Sequence, residues 1–310
     1  MENRCFLCPR ACGARRSAGE TGFCGMTAEL RVARAALHPF EEPPISGTRG
    51  SGTVFFAGCS LRCIYCQNQA IQAADTGEVL DPDALSRLFL YLQAAGAHNV
   101  NLVTPTHYAD GVASALRAVK AELKIPVVYN CGGYESVQTL RSLDGLVDIY
   151  MPDFKYVADS LAIAYSNAPR YAEHATAALL EMYRQTGGVR YDTDGIMTRG
   201  ILVRHLVLPG SREDSIAVLE RIAKTLPTGE ILLSLMRQYT PSFAPPTAPR
   251  VLKRRVTSFE YEKVAKRAEE LGFLGFLQDK ASAQSSYTPN FGEQDLLREF
   301  LHKEGRSVQK

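Results

Sequence analysis

Short apolar runs alternate with helix-patterned segments along most of this chain, and the alternation limits the folds that it can adopt. The runs that predict β-strands cover residues 53–57, 99–103, 126–129, 146–150, 201–208 and 230–235. After the first run, Asp81 as N-cap and Pro82 at the first helical position predict the start of a helix. Strands that alternate with helices pair in parallel and are covered by those helices. Six such units are fewer than the eight of a closed barrel, so the sequence predicts an α/β fold with a partial (β/α)6 barrel.

A proline-rich stretch and a polar tail divide the chain into three parts. Residues 38–47 contain three prolines and predict a linker. Its adjacent acids Glu41 and Glu42 could approach the site, although such acids on a linker are usually hydrated. Near the other end, the capping box of Thr257 and Glu260 starts a last helix before a short strand at 273–277. The predicted division is a Cys-rich metal-binding segment with linker at 1–45, the partial barrel at 46–280, and a helical C-terminal tail at 281–310.

Charge and hydropathy exclude several classes of partner. The 35 basic and 33 acidic residues leave a net charge of +2, too small to favour nucleic acid or an anionic membrane as the main partner. The sequence has no apolar stretch near the roughly 20 residues that span a bilayer, and no apolar signal-peptide core. We therefore expect a cytoplasmic protein without membrane or nucleic-acid partners. In a reducing compartment, the clustered cysteines among its eight are expected to be metal ligands rather than disulfides.

Three cysteines follow the first predicted strand within one short loop. Cys59, Cys63 and Cys66 have the spacing C-x3-C-x2-C, which is too tight for a disulfide framework but lets three thiolates reach one cluster. A cube of four irons needs four ligands, so this loop leaves one iron without a protein ligand. The open iron is a place for chemistry.

Four further cysteines lie near the N-terminus, at Cys5, Cys8, Cys12 and Cys24. Four thiolates have the ligand count of a tetrahedral zinc site or of a second iron–sulfur cluster, and the spacing permits either. Free or redox-paired thiols are the less favoured alternative, because exposed thiolates in such a group are prone to oxidation.

In parallel α/β folds, the chemistry gathers where the strands end. The residues of interest at or near the ends of the next four predicted strands are Thr104 and His107, Cys131, Asp153 with Lys155, and Arg204 with His205. Cys131 and His107 are candidate catalytic residues, although a buried thiol and a structural histidine are common alternatives. Arg204 and His205 are neighbours in a strand, so only one of them points inward. A buried arginine needs a partner such as a carboxylate in the barrel mouth.

The cysteine loop, with Tyr65 before its third cysteine, resembles the signature of the radical S-adenosylmethionine (radical SAM) superfamily. The resemblance implies a [4Fe–4S] cluster whose open iron is chelated by the amino and carboxylate groups of S-adenosylmethionine (SAM). Reductive cleavage of SAM then yields a 5′-deoxyadenosyl radical that abstracts hydrogen from a substrate. It also implies contacts with the cofactor from Tyr65 and from the position of Thr104, where the superfamily often has Gly-Gly-Glu and this chain departs from it.

Three further motifs are similar to the pyruvate formate-lyase activating enzyme-like subgroup: the opening Cys5-x2-Cys8-Pro9-Arg10-x-Cys12, the segment Asp153-x-Lys155, and Arg204-x2-Val207-x-Pro209-Gly210. This resemblance implies an oxidoreductase that makes a glycyl radical on a partner enzyme, with Asp153, Lys155 and Arg204 or His205 holding SAM. The electron donor would be a flavodoxin or ferredoxin.

Two other functions stay open. One is a radical SAM enzyme that modifies a small molecule, peptide or RNA and carries an auxiliary N-terminal cluster. The other is a non-catalytic iron–sulfur or zinc protein for electron transfer or sensing. The three-cysteine loop argues against the latter, because electron-transfer clusters usually have every iron ligated by the protein.

Overall fold

The computed structural model of the protein describes residues 4–72, 76–278, 291 and 295–306. The strands in these residues are β1 Arg31–His38, β2 Ser51–Phe56, β3 Glu78–Val79, β4 Val100–Val103, β5 Val127–Cys131, β6 Ile149–Pro152, β7 Arg190–Tyr191, β8 Met197–Leu206, β9 Leu232–Met236 and β10 Leu274–Leu277. The α-helices are α1 Pro43–Ser46, α2 Pro82–Ala94, α3 Ala109–Val119, α4 Val137–Ser142, α5 Asp159–Ser166, α6 Tyr171–Thr186, α7 Arg212–Thr225, α8 Ser258–Glu270 and α9 Leu296–Lys303.

The described strands form one sheet with the order β10-β9-β8-β6-β5-β4-β2-β1-β3, and β7 pairs with β8 beside this path. Every neighbouring pair from β2 to β10 is parallel. The sheet does not close, since β10 and β3 are its two edges. The predicted α/β fold with a partial barrel is confirmed, and the carboxyl ends of the parallel strands share one edge.

Local sequence signals set the helix starts. The Asp81 carboxylate accepts a hydrogen bond from the backbone N–H of Ala84 at 2.7 Å, which satisfies one of the free donors of the first turn of α2. At α8, Thr257 and Glu260 form the predicted capping box. Across the parts of the chain that the structure describes, every helix is too short or too polar to span a lipid bilayer.

An apolar cluster fills the barrel near the amino ends of the strands. Its buried members are Ile45, Val128, Ile149, Met151, Met197, Leu202 and Leu232. Ile45 comes from α1, inside the predicted linker, and is 0% exposed. The linker therefore packs against the barrel interior at this end, which leaves the opposite end free for a site.

The sheet begins before the predicted start of the barrel at residue 46. β1 lies in the range assigned to the N-terminal segment and pairs antiparallel with β2, from His38↔Ser51 to Val32↔Phe56. Its arginines and alanines give no apolar run, and only Val32 and Ala35 are buried, so the sequence pattern did not indicate a strand. In the tail range, α9 docks beside β1, where Asp295 accepts a hydrogen bond from Ala35 N at 3.2 Å. Residues 279–290, 292–294 and 307–310 lie outside the described residues.

Candidate functional site

A cavity of about 590 Å³ opens at the carboxyl edge of the parallel strands. The structure brings nine of the predicted site residues to its wall: Cys59, Cys63, Tyr65, Cys66, Thr104, Cys131, Asp153, Lys155 and Arg204. They come from the ends of β2, β4, β5, β6 and β8. His107, His205 and the N-terminal cysteines do not line this cavity.

The cysteine loop starts at Gly58, whose φ is +81°. A Cβ atom on Gly58 would lie 2.4 Å from Met26 Cγ and 2.9 Å from Cys24 O, so only glycine fits this close approach. The next residue, Cys59, donates its backbone N–H to Cys24 O at 3.3 Å. The loop is thus seated directly on the N-terminal segment.

Each of the three loop sulfurs accepts a hydrogen bond. The donors are Leu61 N to Cys59 at 3.4 Å, Ser166 Oγ to Cys63 at 2.9 Å, and Asn68 N to Cys66 at 3.3 Å. Hydrogen bonds to the ligating sulfurs are one of the means by which proteins tune iron–sulfur clusters.

Burial affects the protonation of the loop thiols. Burial raises the pKa of the Cys63 thiol and raises that of Cys66 to about 12, so both stay protonated until a metal displaces the proton. Three thiols of one loop in the same cavity wall are a donor set that fits an iron–sulfur cluster. Among the described residues, no three His, Cys, Asp or Glu side chains converge as ligands of a single metal ion; a four-iron cube binds each thiolate through a different iron.

A charged network crosses the cavity between β6 and β8. Asp153 Oδ1 lies 3.0 Å from Arg204 Nε, and Asp153 Oδ2 lies 2.5 Å from Lys155 Nζ. Arg204 also donates to Asn130 Oδ1 at 2.6 Å and pairs with Glu41 Oε2 at 3.4 Å. Burial by itself raises the pKa of Asp153, but the charges of Lys155 and Arg204 outweigh it and hold that pKa below its ordinary value.

The linker acids Glu41 and Glu42 reach into the same network, so of the two alternatives the approach to the site holds and the hydrated linker does not. Glu41 Oε1 accepts a hydrogen bond from Asn101 Nδ2 at 3.1 Å, and its side chain is only 10% exposed. Burial raises the pKa of both carboxyls, and the charge of Arg204 opposes this effect. The acids are buried because the linker enters the barrel, where an arginine needs carboxylate partners.

The choice between Arg204 and His205 is resolved by their side chains, because Arg204 faces the cavity and His205 does not. His205 is 1% exposed, and its Nδ1 lies 2.7 Å from Phe154 O. Burial lowers the pKa of His205 to about 4 and that of His107 to about 3. His107 is held by a contact of 2.7 Å between its Nε2 and Ala57 O. Both imidazoles are neutral, buried and away from the cavity.

The remaining candidates line the wall in distinct environments. Thr104 has a left-handed backbone with φ of +59° and donates its N–H to Asn130 O at 2.8 Å. The hydroxyl of Tyr65 lies 2.5 Å from that of Tyr156. Cys131 is 2% exposed, and burial raises the pKa of its thiol well above the ordinary value.

A buried carboxyl stands behind Cys131. Glu135 accepts hydrogen bonds from Thr106 Oγ1 at 2.9 Å and from the hydroxyl of Tyr129 at 3.4 Å. Burial raises the pKa of Glu135 to about 7. Glu135 belongs to no sequence motif and does not directly follow a strand, because it lies in the loop after Gly132 and Gly133. The sequence therefore contained no signal for it.

Three of the four N-terminal cysteines, Cys5, Cys12 and Cys24, lie near the buried side chain of Arg16. A Cβ atom built on Gly22 would lie 3.3 Å from Cys24 Sγ and 3.4 Å from Cys12 Sγ, so these two sulfurs share one small space. Arg16 Nη1 lies 3.8 Å from Cys5 Sγ, and Arg16 is only 6% exposed. Burial raises the pKa of Cys8 to about 12.

The sheet is mostly parallel and does not close, and three cysteines of one loop lie at its carboxyl edge beside a cavity. This combination is typical of α/β enzymes that depend on an iron–sulfur cluster. Residues 53–219 match the model of the radical SAM superfamily. The chain belongs to this superfamily, whose members use a [4Fe–4S] cluster with SAM and need a reductant.

The chain is similar to curated proteins and to solved structures. An uncharacterized protein of Methanocaldococcus jannaschii is 26% identical over 86% of this chain and 74% of its own length. The lipoyl synthase of Beutenbergia cavernae is 24% identical over 71% of this chain and 61% of its own length. Streptococcus suis SuiB, solved with its precursor peptide SuiA, has a TM-score of 0.50 at 12% identity, covering 78% of this chain and 52% of SuiB. The likeness to SuiB concerns the fold alone.

Proposed function

We propose that this radical SAM enzyme abstracts a hydrogen atom from a polypeptide segment, and that the segment is the glycine-bearing loop of a glycyl radical enzyme. The cavity wall carries this proposal. Apart from the cofactor candidates, much of the wall consists of neutral amides and aromatic rings: Gln67, Asn68, Gln238, Gln278, Phe40, Tyr239 and Phe243. Amide side chains match the donors and acceptors of a peptide backbone.

The cations of the cavity argue against an anionic substrate such as RNA. Among the described wall residues, the lysines and arginines are limited to Lys155 and Arg204. Both contact Asp153, and we assign both to the carboxylate of SAM, which leaves no cation among these wall residues for a substrate phosphate. Binding to RNA relies on cations that neutralise phosphates. A neutral polypeptide therefore suits this wall better than a nucleic acid.

We assign the cofactor contacts on the same geometry. Cys59, Cys63 and Cys66 hold the cluster, which supplies the electron that cleaves SAM to a hydrogen-abstracting radical. Lys155 and Arg204 offer charge-assisted hydrogen bonds to the carboxylate of SAM. Asp153 keeps both cations oriented toward the cavity and can accept from a ribose hydroxyl.

The other wall residues shape and close the site. Tyr65 packs edge to face on Tyr239 at a centroid distance of 6.1 Å, and together with Thr104 it borders the cofactor space and excludes water. Cys131 is the catalytic candidate that lines the cavity, whereas His107 does not. We further propose that Cys5, Cys8, Cys12 and Cys24 hold a second metal, either zinc or iron in a cluster. Zinc would require these thiols to move closer together, because among the described residues they do not converge on a single ion.

Isotope transfer tests this function. The full chain is reconstituted anaerobically and given dithionite, SAM and an uncharged, terminally blocked pentapeptide whose central glycine is deuterated at Cα. We expect deuterium in the 5′-deoxyadenosine product and a glycine-centred radical by electron paramagnetic resonance (EPR). Deoxyadenosine without deuterium would refute the polypeptide substrate. Deuterium transfer that yields a modified peptide and no persistent radical would identify a peptide-modifying enzyme instead.

A further inference from the structure

Arg10 extends from the N-terminal segment to the cysteine loop. Its Nε donates to Ser60 O at 2.8 Å, and its Nη2 donates to Ser166 O at 2.9 Å. Its Nη1 donates to Asn167 O. The guanidinium also stacks on Phe23, with 3.8 Å between Cζ and the ring centroid. One side chain thus joins the carbonyl group of Ser60 to those of Ser166 and Asn167, which are adjacent to each other and far from Ser60 in the sequence.

Two of these carbonyls belong to the end of α5. The last carbonyls of a helix lack partners within the helix and carry a partial negative charge. At this end, Asn167 adopts a left-handed conformation with φ of +48°, and Arg10 caps Ser166 O and Asn167 O. The planar guanidinium presents several donors in a fixed geometry, which the single ammonium of lysine does not reproduce.

The capped residue contacts the proposed cluster ligand. Ser166 is 0% exposed, and its Oγ donates to Cys63 Sγ at 2.9 Å. The same Oγ lies 2.9 Å from the hydroxyl of Tyr156. The preceding carbonyl, Tyr165 O, accepts the N–H of Ile64 at 2.9 Å. Two hydrogen bonds thereby hold the end of α5 against the cysteine loop, one to Cys63 and one to Ile64.

We propose that Arg10 is a positioning residue that holds Ser166 in hydrogen-bond contact with Cys63 and so raises the midpoint potential of the cluster. A hydrogen bond to a ligating sulfur stabilises the additional negative charge of the reduced cluster, and the reduced form becomes easier to reach. This role needs Cys63 as a ligand but is independent of the identity of the substrate.

Midpoint potentials test this role. The reconstituted full chain, without SAM, is poised at a series of potentials, and the reduced cluster is followed by EPR. Ser166→Ala removes the donor, and Arg10→Lys keeps the charge but loses the three-carbonyl contact. We expect both variants to have a more negative midpoint potential, with shifts of comparable size. In the double variant, Arg10→Lys is expected to add no further shift to that of Ser166→Ala.

Each contrary outcome overturns the assignment. An unchanged midpoint potential in Ser166→Ala would show that the hydrogen bond from Ser166 to Cys63 does not influence the potential of the cluster. A wild-type potential in Arg10→Lys together with a lowered one in Arg10→Ala would show that only the charge of Arg10 acts. The matched control is Arg15→Ala in the same segment, where Arg15 forms an ion pair with Glu20 at 2.5 Å, and its potential is expected to be unchanged. The iron and sulfide content of every variant verifies that the cluster is bound. If the Arg10 variants do not bind the cluster, the midpoint potential of Ser166→Ala alone tests the hydrogen bond to Cys63.

Discussion

Asp153 and Arg204 form an ion pair of 3.0 Å between neighbouring strand ends, and their backbones form a parallel bridge. Removing one member of a buried pair leaves the other charge without compensation, at a cost of about 3–5 kcal/mol. Arg204 is the shared partner of Asp153, Glu41 and Asn130. The charged network that crosses the cavity therefore depends on the guanidinium of Arg204.

Arg204→Gln is therefore expected to lower the free energy of unfolding by about 3 kcal/mol or more and to weaken SAM binding. Equilibrium dialysis of SAM against the reconstituted protein measures the second effect. The matched control is Arg199→Gln on the same strand, where the guanidinium caps Thr186 O and Gln185 O outside the cavity. Unchanged SAM affinity in folded Arg204→Gln would contradict the assignment of Arg204 to the cofactor.

The cluster ligands give a sharper expectation. Alanine at Cys59, Cys63 or Cys66 is expected to abolish cluster binding and the formation of 5′-deoxyadenosine, because the cube then keeps only two protein thiolates. Iron content and product analysis by chromatography measure both. Cys131→Ala is the control, since this buried thiol lies in the same cavity and should leave the cluster intact. Cleavage of SAM that survives in Cys63→Ala would refute the ligand set.

The alternation of apolar runs and helical patterns predicted the parallel strands, and the cysteine spacing singled out the loop after the first of them, because both patterns depend on residues close in sequence. The network around Arg204 was only half predicted. Glu41 is 163 positions from Arg204, and no local pattern indicates that the linker turns into the barrel. Arg10 is 156 positions from Ser166, so their contact too was visible only in three dimensions. Alternation showed that one of Arg204 and His205 faces inward, but only packing decided which.

The N-terminal cysteines are expected to bind a metal other than the cluster of the loop, although their segment packs on that loop. Cys24→Ser should lower the metal content of the protein as isolated and reduce its solubility, while cleavage of SAM continues. Elemental analysis for zinc and iron, compared with the wild type, measures the loss and identifies the metal. The expectation fails if Cys24→Ser keeps the full metal content, or if it loses all formation of 5′-deoxyadenosine.

Gly133 is expected to tolerate no side chain. Its φ is +79°, and a Cβ atom would lie 2.1 Å from Asp153 O and 2.7 Å from the Tyr171 hydroxyl. Gly133→Ala should destabilise the protein by more than about 1 kcal/mol through strain and displacement of Asp153. Gly195→Ala is the control, since it has a φ of +77° and nothing within 4 Å of the Cβ position. Equal losses of stability in the two variants, measured by thermal unfolding, would show that the contact with Asp153 is unimportant.

Glu135 gives a pH-dependent prediction. Burial raises its pKa from 4.5 to about 7, so between these values the folded protein binds a proton that the unfolded chain releases. The stabilisation is present in full below the lower value and is lost as the pH rises to about 7, by about 1.4 kcal/mol for each pH unit. Glu135→Gln stays neutral, and its free energy of unfolding relative to wild type should therefore rise between about pH 5 and about pH 8.

Anaerobic urea denaturation measures this free energy of unfolding. The control is Glu213→Gln, because the side chain of Glu213 is 76% exposed. A difference between Glu135→Gln and wild type that does not change with pH would mean that Glu135 is ionised throughout, stabilised by the hydroxyls of Thr106 and Tyr129 that donate to it.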